Sequence, residues 1–313
     1  MKKGMTLSIL PRRTMSWEEF VAMTPRNSVA LDGVVSGGPR FDERTMHANF
    51  DHHDGVNRDA TMSTCMQAYM AIKGGLMESF RENGMPCLNA FINDTDQDTA
   101  MAVWLLNNYK LFEGVQSLPH INRLLDLTNK WDITGGAYPI NLDEEIVRQH
   151  CWIFEPYTDL RKTGKLSQAD ENMLRDNIEA VMKRLDMLLM GQAGGKTLDT
   201  RHEILYDSPI FKIVNEIGGN EARYHLYGKG MNAFISVVAQ RTDGRHVYTI
   251  GRRSQYIPFP IQALYDDFNL AEGLTRVNGW SGSTIIGGSS REMGSGLSWQ
   301  ELVEIVKARL ALD

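Results

Sequence analysis

The chain has 313 residues, 42% of them hydrophobic and 23% charged, a soluble composition with room for about two domains. Its formal charge of −6 argues against a protein that coats nucleic acid through bulk positive charge, while leaving a local basic site open. Cys65, Cys87 and Cys151 are odd in number and lack zinc spacing, so no disulfide framework is expected and a reducing, cytoplasmic setting fits. No apolar run approaches a membrane span, and the basic start, residues 1–13, lacks the apolar core and small-residue cleavage site of a secretory signal.

Ser16 ahead of Trp17-Glu18-Glu19-Phe20 predicts an N-capped helix ending before Pro25. Ser28-Val29-Ala30-Leu31-Asp32-Gly33 is a short apolar run closing on an aspartate. A Gly-rich turn leads to His47-Ala48-Asn49-Phe50-Asp51-His52-His53-Asp54, which stops abruptly in Asp-His-His. Residues 62–73 carry Met, Ala, Tyr and Ile at helical spacing. A third strand-like run, 87–92, is followed by Asp94, Asp96 and Asp98 and an apolar helix start at 99–106. A helix over 120–130 is broken by Trp131-Asp132-Ile133-Thr134-Gly135-Gly136, where Asp132 either reaches a site or caps and turns the chain.

Residues 167–190 place Met173, Leu174, Ile178, Val181, Met182, Leu185, Leu188 and Leu189 on one broad helical face, a long connector. Gly191-Gln192-Ala193-Gly194-Gly195-Lys196-Thr197 has Met190 where a P-loop needs its first glycine and follows a helix instead of a strand. It is therefore read as a flexible hinge. Further on, a strand over 232–239, a turn at Thr242-Asp243-Gly244-Arg245 and a return strand over 246–250 lead to Arg252 and Arg253. Two arginines at a strand end can fork onto phosphate oxygens, or be solvated surface charges. After a helix over 258–271, the Gly-rich stretch 279–291, with Gly287, Gly288 and Arg291, allows close backbone approach to an anion or is an ordinary loop. Ser298 and Glu301 have capping-box spacing at the start of the final helix.

If the three acid-ending strands run parallel, their carboxylates converge on the carboxyl edge of the sheet, where α/β folds bind ligands. Clustered carboxylates repel one another unless cations neutralise them. Imidazole beside carboxylate suits Mn²⁺, Zn²⁺ or Fe²⁺, and two such ions can clamp the oxygens of a phosphoryl group. One aspartate is enough to cap a helix, so acids at 94, 96 and 98 exceed that need.

Asp51-His52-His53 followed by Asp59-Ala60-Thr61-Met62-Ser63-Thr64-Cys65 resembles the signature block of the DHH phosphoesterase superfamily. That superfamily includes RecJ-type exonucleases, oligoribonucleases and manganese inorganic pyrophosphatases. The spacing from Leu31-Asp32-Gly33 through Gly37-Gly38-Pro39 and Phe41-Asp42 is similar to a nuclease-like branch. Gly251-Arg252-Arg253-Ser254, and Gly287-Gly288 with Gly294-Ser295-Gly296, resemble the arginine and glycine segments of the DHH-associated domain. Arg253-Ser254-Gln255-Tyr256-Ile257-Pro258 is similar to the phosphate-binding segment of the pyrophosphatases. The resemblance covers 28–106 and 232–310 and departs twice. Ser289, Ser290 and Arg291 stand where the family has a histidine after its glycine pair, and no Asp-x-Asp motif precedes Asp32.

Elements and resemblance together predict an α/β protein: an N-terminal parallel-sheet, DHH-like metal-binding domain (1–160), a long helical connector and hinge (161–199), and a smaller C-terminal α/β substrate-binding domain (200–313). The resemblance implies Asp32, His52 and Asp94 as ligands of one or two divalent ions, Mn²⁺ first among them. Asp96 and Asp98 either stand in for the missing early motif or are extra acids beside a later one. His53 would be leaving-group acid or charge stabiliser, Asp51 would orient His52, and Arg252, Arg253, Gly287, Gly288 and Arg291 would bind substrate. Metal-activated water would then hydrolyse a small phosphorylated molecule or short oligonucleotide in a cleft between the domains. Long duplex nucleic acid and membranes are not expected as partners, and a homodimer is compatible with this reading. The alternative is a non-catalytic nucleotide sensor on the same fold. The remaining histidines, His120, His150, His202, His225 and His246, are isolated and read as packing or surface residues.

Overall fold

Two four-residue runs buried on both faces, Ser28–Leu31 and His47–Phe50, fix the centre of the first sheet, because a strand with no solvent face must be covered by helices on each side. The computed structural model describes Met1 and residues 4–311. Lys2 and Lys3 of the basic start, with Leu312 and Asp313, lie outside the described residues. The chain divides into two compact units, Met1–Ile133 with Asp143–Thr197, and Thr134–Leu142 with Leu198–Asp313. Among the described residues no helix is long and apolar enough to cross a membrane.

The first unit begins with β1 (Met5–Ile9), α1 (Trp17–Met23), β2 (Ser28–Leu31), β3 (Arg40–Asp42) and β4 (His47–Phe50). Next come α2 (Thr64–Lys73), α3 (Leu76–Ser79), a small hairpin of β5 (Arg81–Glu82) and β6 (Met85–Pro86), and β7 (Leu88–Ile92). Helices α4 (Gln97–Asn107), α5 (Pro119–Ile133), α6 (Glu145–Ile153), α7 (Glu155–Lys162) and α8 (Glu171–Leu189) complete it. Strand order is β1-β7-β2-β4-β3. The first four strands are mutually parallel, and β3 closes the edge antiparallel. One face carries Met15, Trp17, Phe20, Ala30, Val34 and Val35. On α4, every residue from Ala100 to Leu106 is buried, so this helix is apolar all round and sits in the core between its neighbours.

The second unit contains β8 (Glu203–Asp207), β9 (Lys212–Asn215), α9 (Asn220–Gly228), β10 (Ala233–Gln240) and β11 (His246–Arg252). It ends with α10 (Ile261–Glu272), β12 (Ser281–Gly282), β13 (Ile286–Gly288) and α11 (Trp299–Leu310). Its six strands run β12-β13-β11-β10-β9-β8, with only β9 and β10 parallel. An aromatic core of Tyr248, Phe259, Tyr265, Phe268 and Trp280 fills one face, and Leu226, Tyr227 and Met231 pack on the other. The α/β architecture expected from sequence, with a mostly parallel first sheet and α8 ahead of the second unit's strands, is what the structure has.

Three local expectations differ. The helix predicted over 120–130 continues to Ile133 and so carries Asp132 in its last turn. The glycine stretch read as a hinge is held to the first unit: a Cβ on Gly194 would meet the Trp152 indole at 2.8 Å, and Lys196 N donates to Arg148 O. The predicted anion loop around Gly287 and Gly288 is strand β13. There a Cβ on Gly287 would fall 2.0 Å from Tyr265 Oη, and one on Gly288 2.2 Å from Tyr248 O, so packing alone requires both glycines.

His150 on α6 is buried edge-on to Trp131, with ring centroids 5.0 Å apart, and neither ring nitrogen has a hydrogen-bond partner. Burial pushes its pKa from the ordinary 6.5 down to about 3. Between those values the unfolded chain takes up a proton that the folded chain refuses. The stability tied to neutral His150 is therefore complete above the unfolded pKa and is lost as pH falls toward the folded one. Urea titrations from pH 7 to pH 4 should show a steeper loss in wild type than in His150→Phe, by up to about 1.4 kcal/mol per pH unit. Equal slopes would mean that His150 is not the titrating group.

Candidate metal centre

Parallel strands bring Asp32, at the end of β2, and Asp51, at the end of β4, to the same carboxyl edge. Asp32 takes the left-handed conformation (φ 53°), which aspartate tolerates better than most residues. Its two oxygens accept from the hydroxyls of Thr64 at 3.0 Å and Thr99 at 2.9 Å, residues that open α2 and α4. Asp51 folds the Asp-His-His turn onto itself. Its Oδ1 accepts from His52 N at 2.7 Å, His53 N at 3.1 Å and the His53 ring Nδ1 at 2.8 Å. Asp98, in the first turn of α4, is fully buried and accepts from Thr64 N at 2.6 Å and Cys65 N at 2.8 Å. It thereby satisfies two of the orphan amides at the start of α2.

His52 Nε2 is the common point of the cluster. It lies 2.7 Å from Asp132 Oδ2 and 3.6 Å from both Asp32 Oδ1 and Asp98 Oδ2. The Asp132 contact is a charge contact out of hydrogen-bond alignment, so both ring nitrogens are buried without a hydrogen-bond partner. Two groups of metal-ligating side chains share this residue: Asp32, His52 and His53, and His52, Asp98 and Asp132, with the ligand atoms of each within 4.8 Å of one another. A fully buried imidazole whose Nε2 faces three carboxylates is a donor set of the type that binds a divalent cation, and these residues fit one.

Electrostatics point the same way. Burial and the charges of Asp132 and Asp32 push Asp98 up to about 7. Burial works against a charged His52, but Asp132 and Asp32 outweigh it and raise its pKa to about 11. Burial likewise opposes ionised Asp32, whose contacts with His52 and His53 nevertheless hold its carboxyl well below the usual range. The cluster thus draws a positive charge to His52 Nε2, the position a bound ion would take from the proton.

The structure gathers some of the residues singled out in the sequence and leaves others apart. Asp32, His52 and Asp98 come together. Asp94, the expected later ligand, joins neither group among the described residues; its Oδ2 accepts from Tyr157 Oη at 3.2 Å. Asp96 N-caps α4 by accepting from Thr99 N, and burial and then the neighbouring carboxylates push its carboxyl well above the ordinary range. Asp51 grips the ring of His53, and not that of His52 as expected. In the second unit, Arg252 spends its guanidinium on Thr284 O and Ile257 O, Arg253 is half-buried, and Arg291 is exposed on a turn. Sequence reasoning left Asp132 undecided and passed over Thr64, Thr99 and Arg58, whose Nη2 donates to Asp132 O at 2.9 Å. An acid in the last turn of a helix carries no signal that separates a ligand from a cap.

No family model matches the chain, and no curated protein matches it either.

Binding of an ion to the folded chain alone must stabilise it: at a hundredfold excess over its dissociation constant the gain is about 2.7 kcal/mol. Melting in Mn²⁺ should therefore occur above melting in EDTA, and the difference should vanish in His52→Ala. Identical melting temperatures with and without divalent ions would rule out a site here.

Proposed function

We propose that the first unit is a divalent-metal-dependent phosphoesterase of the DHH type, acting on a small phosphorylated molecule or short oligonucleotide. The observation that carries this reading is the pair of ligand groups sharing His52, set on the carboxyl edge of a parallel sheet directly after Asp51-His52-His53. Asp32, His52, Asp98 and Asp132 would hold the ion, and the mixed nitrogen and oxygen donors suit Mn²⁺. Such an ion, when bound, polarises a phosphoryl oxygen and lowers the pKa of a water.

The chain's own contribution is proton handling and orientation. His53 is 41% exposed on its side chain, with Nδ1 fixed by Asp51 at 2.8 Å. Its Nε2 makes no hydrogen bond to the described residues, which leaves that atom to a substrate. Burial opposes its charged form, but Asp32 and Asp51 raise its pKa above the ordinary imidazole value. That direction favours the protonated ring, which could donate from Nε2 to a leaving oxygen.

One observation favours the sensor reading as an alternative. Strand β1 reaches the same edge but continues as Leu10-Pro11-Arg12-Arg13, with no acid where the family has its Asp-x-Asp motif. A second ion would have fewer ligands there, and a single ion can bind a nucleotide without hydrolysing it.

The test is Mn²⁺-dependent hydrolysis across pyrophosphate, short oligonucleotides, cyclic dinucleotides and nucleotide bisphosphates, together with the bound-metal count. His53→Ala should lower turnover by about 10²–10⁴-fold while keeping its metal. His52→Ala should lose the metal as well. Tight metal binding with no hydrolysis of any of these compounds would leave the sensor, and absence of bound metal would defeat both readings.

A further inference from the structure

Three arginines of the second unit fork onto a carboxylate with Nε and Nη2 together. Arg223 does so on Glu216 at 2.7 and 2.8 Å, and Arg276 on Asp266 at 2.7 and 2.8 Å; Arg309 makes the same pair with Asp267. Arg58, beside the candidate metal centre, does not. Its Nη2 rests on the Asp132 carbonyl at 2.9 Å and is 3.5 Å from Asp132 Oδ2. Its Nε is buried with no hydrogen-bond partner, and Nη1 donates to none of the described residues. The side chain is nonetheless only 11% exposed.

A built turn puts it there. Asn57 Oδ1 accepts from Asp59 N, and Thr61 Oγ1 donates to Asn57 O, closing the loop between the Asp-His-His segment and α2 around Arg58. The Arg58 charge is felt at both imidazoles, opposing the protonation of His52 and His53. A guanidinium that only neutralised Asp132 would face the carboxylate squarely. Nη1, unlike Nε, is not buried, so it is the donor left open to an incoming acceptor. The two-atom fork matches two oxygens of a phosphoryl group.

We infer that Arg58 is the phosphoryl-recognising residue of this centre, resting on Asp132 through Nη2 until a phosphoryl oxygen pair engages its Nη1–Nη2 end beside the ion held by His52. This inference rests on the phosphoesterase reading and adds the residue that selects the substrate's charged group.

The experiment measures Mn²⁺ affinity by calorimetry, then the affinity of inorganic phosphate for the Mn²⁺-loaded protein, in wild type, Arg58→Gln and Arg58→Lys. Phosphate binding should weaken about 10- to 100-fold in Arg58→Gln, the span of a hydrogen bond to a charged group. Arg58→Lys should recover little of it, because the charge returns without the fork. Mn²⁺ affinity should hold or rise in both variants, since a cation has left the neighbourhood of Asp132. Unchanged phosphate affinity overturns the inference and leaves the phosphoesterase reading standing. Mn²⁺ affinity falling in step with phosphate affinity also overturns it, making Arg58 a support for Asp132. A wild-type protein that binds no Mn²⁺ defeats the reading beneath it.

Discussion

Carboxylates crowded around one buried imidazole are the constraint on which the rest of the first unit depends. Ligand atoms of Asp98 and Asp132 lie within 4.8 Å of each other, and two ionised groups at that range repel by on the order of 3–4 kcal/mol at an effective dielectric near 20. Hydroxyls of Thr64 and Thr99 and the amides of Thr64 and Cys65 offset part of this by donating to Asp32 and Asp98. Neutral dipoles alone do not satisfy a charge cluster. The remainder requires a cation at His52 Nε2, either a proton or a metal ion.

Asp98 ties that requirement to the fold itself. It belongs to α4, yet it caps α2, and the two helices pack closely along their length. This member of the carboxylate cluster also holds the amino end of the helix that follows the Asp-His-His turn. Asp32 is pinned in the same way: its left-handed backbone costs roughly 1–2 kcal/mol relative to a right-handed one, and the next residue's carbonyl, Gly33 O, is held by Thr14 and Asn93. Gln67 Nε2, reaching back to Asp51 O at 2.9 Å, does for the Asp-His-His turn what those residues do for Asp32. A cluster whose acids double as caps and turn clasps cannot relax its repulsion by moving apart without unravelling the helix starts.

The sequence made the strand-end acids legible because a parallel sheet sends every strand's carboxyl end to one edge, so the convergence of Asp32 and the Asp-His-His segment followed from pattern while their expected roles came from the resemblance. Asp94 and Asp98 could not be ranked that way. Strand β7 stops at Ile92 and α4 starts at Gln97, and the loop's path turns Asp94 to Tyr157 while the helix's first turn aims Asp98 inward. That choice depends on backbone angles which composition does not encode. Asp132 was hidden for a similar reason, since α5 runs one turn further than its apolar spacing indicated. The glycine pair at 287–288 has a packing cause that its spacing does not reveal, the Tyr265 hydroxyl lying where a side chain would go.

Adjacent His52 and His53 show how one turn can divide two chemical tasks. Their rings stand 4.4 Å apart, yet His52 is wholly enclosed with no hydrogen bond, and His53 is half open with its Nδ1 committed to Asp51. Positive charge on His52 lowers the proton affinity of His53, while Asp32 and Asp51 raise it. The carboxylates outweigh both burial and the neighbouring positive charges, and the net shift is upward. One turn thus offers an enclosed ring to the carboxylates and a half-open one to solvent.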